Sequence, residues 1–161
     1  MNMKEIASLS EIKTSLTALT GKEVRDLCLR MARYKKENKE LLSYLLFFAA
    51  NESDYVSSIQ AGIDEQLDSL NRSNNYYSLK GIRKVLRLTN KHIKFSGIRQ
   101  TEVELLIYFC RCLKEKGFMK HPGTSLINLY ERQLIKTRKA IGYLHEDLQF
   151  DYTSEIQNLN L

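Results

Sequence analysis

The segment YYSLKGIRKVLRLTNKHIKF, residues 76–95, decides the fold. Wound at about 100° per residue, it gathers Lys80, Arg83, Lys84, Arg87, Lys91 and Lys94 into a band roughly 100° wide. Leu79, Ile82, Val85, Leu86 and Ile93 fall on the opposite side. The spacing predicts one amphipathic helix, with its apolar side on a core and its cations in water. The band is about 20 Å long at 1.5 Å per residue, enough to span several phosphates of a nucleic-acid strand. Tyr76 and Tyr77 stand where the band begins, placed either to stack on a base or to pack on their neighbours.

The charge around this helix is localised. From Ser69 to Thr101 there is no acid, while eight cations occur, adding Arg72 and Arg99 to the six above. Eight exceeds the formal net charge of +6, so the remainder of the chain is slightly acidic. A confined positive field can hold an anionic partner, although charged outer faces are also the normal condition of a solvated helix. An acidic protein surface, a nucleic-acid backbone and a membrane surface would each complement it. The acidic C-terminal segment of a neighbouring copy is one such protein surface. Lysine and arginine on phosphates position a strand without reading its sequence.

Outward from this segment, the chain reads as helix throughout. One proline and seven glycines in 161 residues leave too few turn formers for an all-β domain. Ile6, Leu9, Ile12, Leu16 and Leu19 mark a first helix from about residue 3 to 19. Thr20 and Glu23 form a capping box for a second, lined by Val24, Leu27, Cys28 and Met31. Asn38 is the expected cap of a third helix near residues 39–51. That helix is apolar nearly all round and so is expected to be covered on several sides. Val56, Ile59, Ile63, Leu67 and Leu70 stripe a fourth, and residues 71–75 read as a loop. After the basic helix, Ser96-Gly97 makes a stop, with Gly97 suited to a left-handed position. Thr101 and Glu104 read as the capping box of a sixth helix, residues 117–123 as the main break, and about 124–144 as a seventh helix. Past Lys139 there is no Lys or Arg, and Glu146, Asp147, Asp151 and Glu155 give residues 146–161 the reading of an acidic tail.

The expected architecture is therefore all-α, one domain over residues 1–161, with six or seven helices. They form an irregular bundle or a short solenoid-like stack of helical hairpins. The Glu-Leu-Leu-x-Tyr segments at Glu40–Tyr44 and Glu104–Tyr108 hint at a duplicated three-helix unit, which would favour the stack.

Reactive chemistry is sparse. Neither glycine-rich phosphate loop pattern occurs, nor does H-E-x-x-H. His92, His121 and His145 are far apart, and His145-Glu146-Asp147 reads as a solvated helix-terminal cluster. Glu37 with Glu40, and Asp64, Glu65 and Asp68, have helical spacing but lack the histidine partner of a carboxylate metal site. Glu40 and Glu104 read as acids complementing helix N-termini. Cys28, Cys110 and Cys112 form an odd set, expected to be free thiols in a reducing compartment. The start of the chain has no apolar signal core. The apolar run 41–50 is about half of a membrane span. The expectation is a cytoplasmic protein without metal or cofactor and without membrane insertion, homo-oligomerisation being left open. Its expected function is a non-catalytic interaction or scaffold module holding another macromolecule on the basic helix face. A sequence-nonspecific nucleic-acid backbone binder is the alternative, and an enzyme with an inter-helix pocket the third.

Overall fold

The computed structural model describes residues 6–72 and 74–160. Helix α1 spans Leu9–Thr17, α2 Gly21–Tyr34, α3 Lys36–Ser43, α4 Glu52–Asp68, α5 Asn75–Ser96, α6 Arg99–Glu115, α7 Thr124–Ile141 and α8 Glu146–Gln157. A π-helical turn, Tyr44–Phe48, follows α3. The described residues contain eight α-helices and no strand, so the all-α class holds and the expected count of six or seven is short. The chain divides into two compact units, Met1–Leu46 and Phe47–Leu161.

In the first unit, local capping decides the helix starts. The Ser8 hydroxyl caps α1 and Glu11 reciprocates. Thr20 and Glu23 form the expected box on α2. Residues 3–5 of the expected first helix lie outside the described residues. Asn38 does not cap α3, whose N-cap is the extended Lys35. Its amide instead donates to the Met31 carbonyl at 2.9 Å, which ties the start of α3 back to α2. None of the residues of α1, α2 or α3 is buried. The apolar run after them is not covered as expected. Leu45, Leu46 and Phe47 are more than half exposed, and Tyr44 alone in the turn is buried. The reason is positional: the run lies where one unit ends and the next begins, so the α-periodicity breaks before it reaches a core.

In the second unit α6 is the hub. Ten of its residues are buried, among them Val103, Leu105, Leu106, Phe109 and Leu113. It packs on α4, α5, α7 and α8. Burying a side chain of this size contributes about 1.5–3 kcal/mol, which explains why a helix apolar on most sides settles at the centre. The expected Thr101–Glu104 capping box is not formed, because α6 begins three residues earlier, behind an Ile98 N-cap with no side-chain bond. Thr101 instead donates to Glu52 Oε1 at 2.6 Å. Glu104 lies beyond the first turn and accepts from the Tyr152 hydroxyl at 2.6 Å. The two Glu-Leu-Leu-x-Tyr segments thus have different surroundings, one in the core helix, the other where α3 passes into the π-helical turn.

A Schellman motif ends α6. The Phe118 N–H bonds the Leu113 carbonyl at 3.0 Å, and the N–H of Gly117, at φ 81°, bonds that of Lys114 at 3.1 Å. The C-terminal segment is helix rather than loose tail. His145 is the N-cap of α8, accepting from the Asp147 N–H, so the His145-Glu146-Asp147 cluster stands at a helix start. Ile156 and Leu159 are buried, and the Tyr130 hydroxyl donates to the Leu159 carbonyl at 2.7 Å. Arg111 pairs with Glu155 at 2.7 Å, and Lys114 reaches the Asn160 carbonyl at 2.8 Å. Among the described residues no helix is long and apolar enough to cross a membrane.

Candidate polyanion-binding face

Helix α5 runs unbroken through residues 76–95. Asn74 starts it by accepting from the Tyr76 and Tyr77 N–H groups, and Gly97, at φ 67°, stops it with an N–H bond to the Ile93 carbonyl. Ser78, Ile82, Val85, Thr89 and Ile93 are buried. Lys80, Arg83, Lys84, Arg87 and Lys94 are exposed, and among the described residues none of the five makes an ion pair. Lys91 differs: it is half-buried, with its ammonium 5.8 Å from the Phe95 ring centroid. The cations elsewhere in this unit are largely spent on structure. Lys136 lies 3.2 Å from Glu102 and donates to Asn90, Arg99 also pairs with Glu102, and Lys116 lies 2.9 Å from both Asp64 and Asp68.

Tyr76 and Tyr77 are 69% and 60% exposed and meet edge to face, with ring centroids 5.5 Å apart. At about 100° per residue Tyr76 lies in the same angular band as the cations. It also lines a cleft of about 640 Å³ between the start of α5 and the loop 117–123. Arg72, Lys120 and His121 line it as well, and its fourteen lining residues include no Asp or Glu. Arg72 is held there by a 2.7 Å bond to the Lys116 carbonyl and by stacking, its guanidinium carbon 4.9 Å from the Phe118 ring centroid. Of these residues only Tyr76 was singled out from sequence as a binding group. Arg72 was marked only as one of the eight cations of the acid-free stretch, and the signal for the others was the 117–123 break, where Lys120 and His121 adjoin the only proline.

Several of the other reactive groups serve the fold. His92 Nδ1 is 2.8 Å from the Tyr55 hydroxyl, so the three histidines serve separate regions. Burial pushes the Cys110 thiol up to about 12, and burial together with Asp64 pushes Cys112 up to about 12. Both therefore stay protonated and un-nucleophilic near neutrality. Cys28 is exposed. No group of three or more His, Cys, Asp or Glu among the described residues is arranged to hold a metal ion. A smaller cavity of about 240 Å³, lined by Glu104, Tyr108, Arg111, Tyr152 and Glu155 among others, is crossed by the Arg111–Glu155 pair. Burial, reinforced by Glu104, raises Tyr152 to about 12 and keeps it a donor.

Asp64 is tied to α6 and its C-cap by three side chains. It accepts from Tyr108 and Cys112, one turn apart on α6, and pairs with Lys116, the C-cap of that helix. The Tyr108 hydroxyl first, and Lys116 after it, hold the Asp64 carboxyl below its ordinary value against an opposing burial effect. A carboxylate with a lowered folded-state pKa stabilises the protein above its unfolded value, about 3.9, and ceases to do so as pH falls through the lowered one. Asp64→Asn is therefore expected to lower Tm at pH 7, with the difference from wild type closing below about pH 4. Thermal melts between pH 7 and pH 3 check this, and a gap that stays constant with pH would refute the role given to the carboxylate.

Compared with protein-family models, with curated proteins and with solved structures, the chain matches none.

Proposed function

We propose that this chain is a non-catalytic interaction module that holds a polyanionic macromolecule on the outer face of α5. The partner best suited to that face is a single-stranded nucleic-acid backbone, bound without sequence preference. The observation that carries this reading is the row of five exposed cations on one helix face, none with an acid paired to it among the described residues. Cations whose charge is already spent on the fold have little left for a partner, whereas these five are unneutralised. Two exposed tyrosines in line with the row favour a strand over an acidic protein surface. Single-strand binders combine a cationic track with aromatic stacking platforms. The chain's own acidic C-terminal segment is a poor occupant of a neighbour's α5, because α8 is bound into its own unit through Glu155, Ile156 and Leu159.

Fluorescence anisotropy with a labelled single-stranded 12-mer, repeated across a salt series, tests the proposal. Neutralising five phosphates on a single strand is expected to give a slope of log K against log salt of about −3 to −4. A slope near zero, or no binding at low salt, overturns the proposal. Displacement by polyglutamate at concentrations where a second oligonucleotide fails to compete would assign the face to an acidic protein instead.

A further inference from the structure

The cleft beside Tyr76 is not needed for holding a backbone along α5, yet it is joined to that face. Its α5 lining, Asn75, Tyr76, Ser78 and Leu79, comes from the first turn of that helix, just before the first cation of the row, and Tyr76 belongs to both the cleft and the row. Its volume of about 640 Å³ falls within the range of small-molecule sites and exceeds what one stacked base needs. The lining is of two kinds. Leu79, Phe118 and Leu126 supply an apolar floor, and Arg72, Lys120 and His121 supply cationic or hydrogen-bonding groups, with no carboxylate among the lining residues. Arg72 shares its charge with Asp68, 3.6 Å away, and its guanidinium carbon lies over the Phe118 ring. Lys120 is exposed and has no ion-pair partner among the described residues. An apolar floor beside a cationic wall suits a ligand with a flat, weakly polar body and a strongly anionic head.

We infer that this cleft receives a nucleoside monophosphate unit, the phosphorylated terminal nucleotide of the strand that lies on α5. The strand-end part rests on the reading of α5 proposed above; the nucleotide part does not. A terminal phosphomonoester carries about 1.5 to 2 negative charges near neutrality, more than an internal diester, and this is the feature that Lys120, His121 and Arg72 reward. The base lies on the floor, with Tyr76 at its edge.

Calorimetric titration of the full chain with AMP, adenosine and inorganic phosphate separates the two parts of the ligand. AMP is expected to bind at least about tenfold more tightly than either fragment, as expected when a charge-assisted hydrogen bond and a stacked body act together. The double variant Lys120→Glu/His121→Glu, at two exposed positions, is expected to lose that advantage. The variant Lys84→Glu/Arg87→Glu is expected to keep it. Equal affinity for AMP and adenosine, phosphate binding as tight as AMP, or AMP binding unmoved by Lys120→Glu/His121→Glu each overturns the nucleotide assignment. Oligonucleotides bearing a 5′-phosphate, a 3′-phosphate or neither then test the strand end: one phosphorylated form is expected to bind several-fold more tightly, and equal binding of all three overturns the strand-end assignment. Tight AMP binding with no oligonucleotide binding at any salt overturns the reading of α5 and the strand end together, while the nucleotide assignment stands.

Discussion

Replacing Lys80, Lys84 and Arg87 together with glutamate is expected to weaken oligonucleotide binding by at least about 100-fold at moderate salt and to flatten its salt dependence. Each substitution removes a cation and installs an anion on the same face, so the local field reverses rather than merely fading. The three side chains are exposed and unpaired among the described residues, and surface changes away from special features are worth within about 0.5 kcal/mol each. Far-ultraviolet circular dichroism and Tm should therefore barely move. Arg111→Gln supplies the contrast. It breaks the pair with Glu155 but leaves the α5 face intact, so oligonucleotide binding should persist. Should the triple reversal bind as well as wild type, the cationic band is a solvated surface and nothing more. The two measurements, anisotropy and circular dichroism on the same variants, separate a lost contact surface from a lost fold.

Phe109→Ala is expected to be the most damaging single substitution in the second unit, costing about 3–5 kcal/mol. Its side chain is fully buried in α6, the helix on which four others pack. Truncation leaves a cavity that the surrounding helices can fill only in part. Whole domains are stable by only about 5–15 kcal/mol, so this one change would consume a large share of the total. Urea denaturation of the variant should show a much lower midpoint with a similar slope. Phe47→Ala and Phe150→Ala delete the same ring where it is 74% and 79% exposed, and both should stay close to wild type. If Phe109→Ala proved equally mild, α6 would not be the centre of the core.

The contrast among these phenylalanines bears on how far the sequence could be read. Periodicity marks Phe47 and Phe109 alike as members of the two most apolar helices. It could not distinguish them, because burial depends on which helices pack around a segment, and that is a long-range property. The capping residues behaved similarly. Thr20–Glu23 fulfilled its motif because nothing distant competed for Thr20. Thr101–Glu104 did not, because Glu52 and Tyr152, far away in the chain, bind its two members in other ways. Asn38 was drawn from a cap to the Met31 carbonyl by the corner between α2 and α3. The outer face of α5 was legible except at Lys91, since a charge stripe on one rod needs only the helical period to assemble it, whereas the partial burial of Lys91 depends on what packs beside it. The cleft was not, since Arg72, Tyr76, Lys120 and His121 come from two stretches more than forty residues apart.

From residue order alone followed the helical class, the rod at residues 76–95 with its cationic side, the stop at Gly97 and the break at residues 117–123. These are consequences of side-chain period, net charge and backbone freedom, all settled within a turn or two of chain. Tertiary structure alone decided that α6 lies at the centre, that the acidic C-terminal segment is a packed helix, which cations are paired, and that a cleft lies at one end of α5. Those outcomes turn on which distant surfaces exclude water from one another, and no local pattern carries that information.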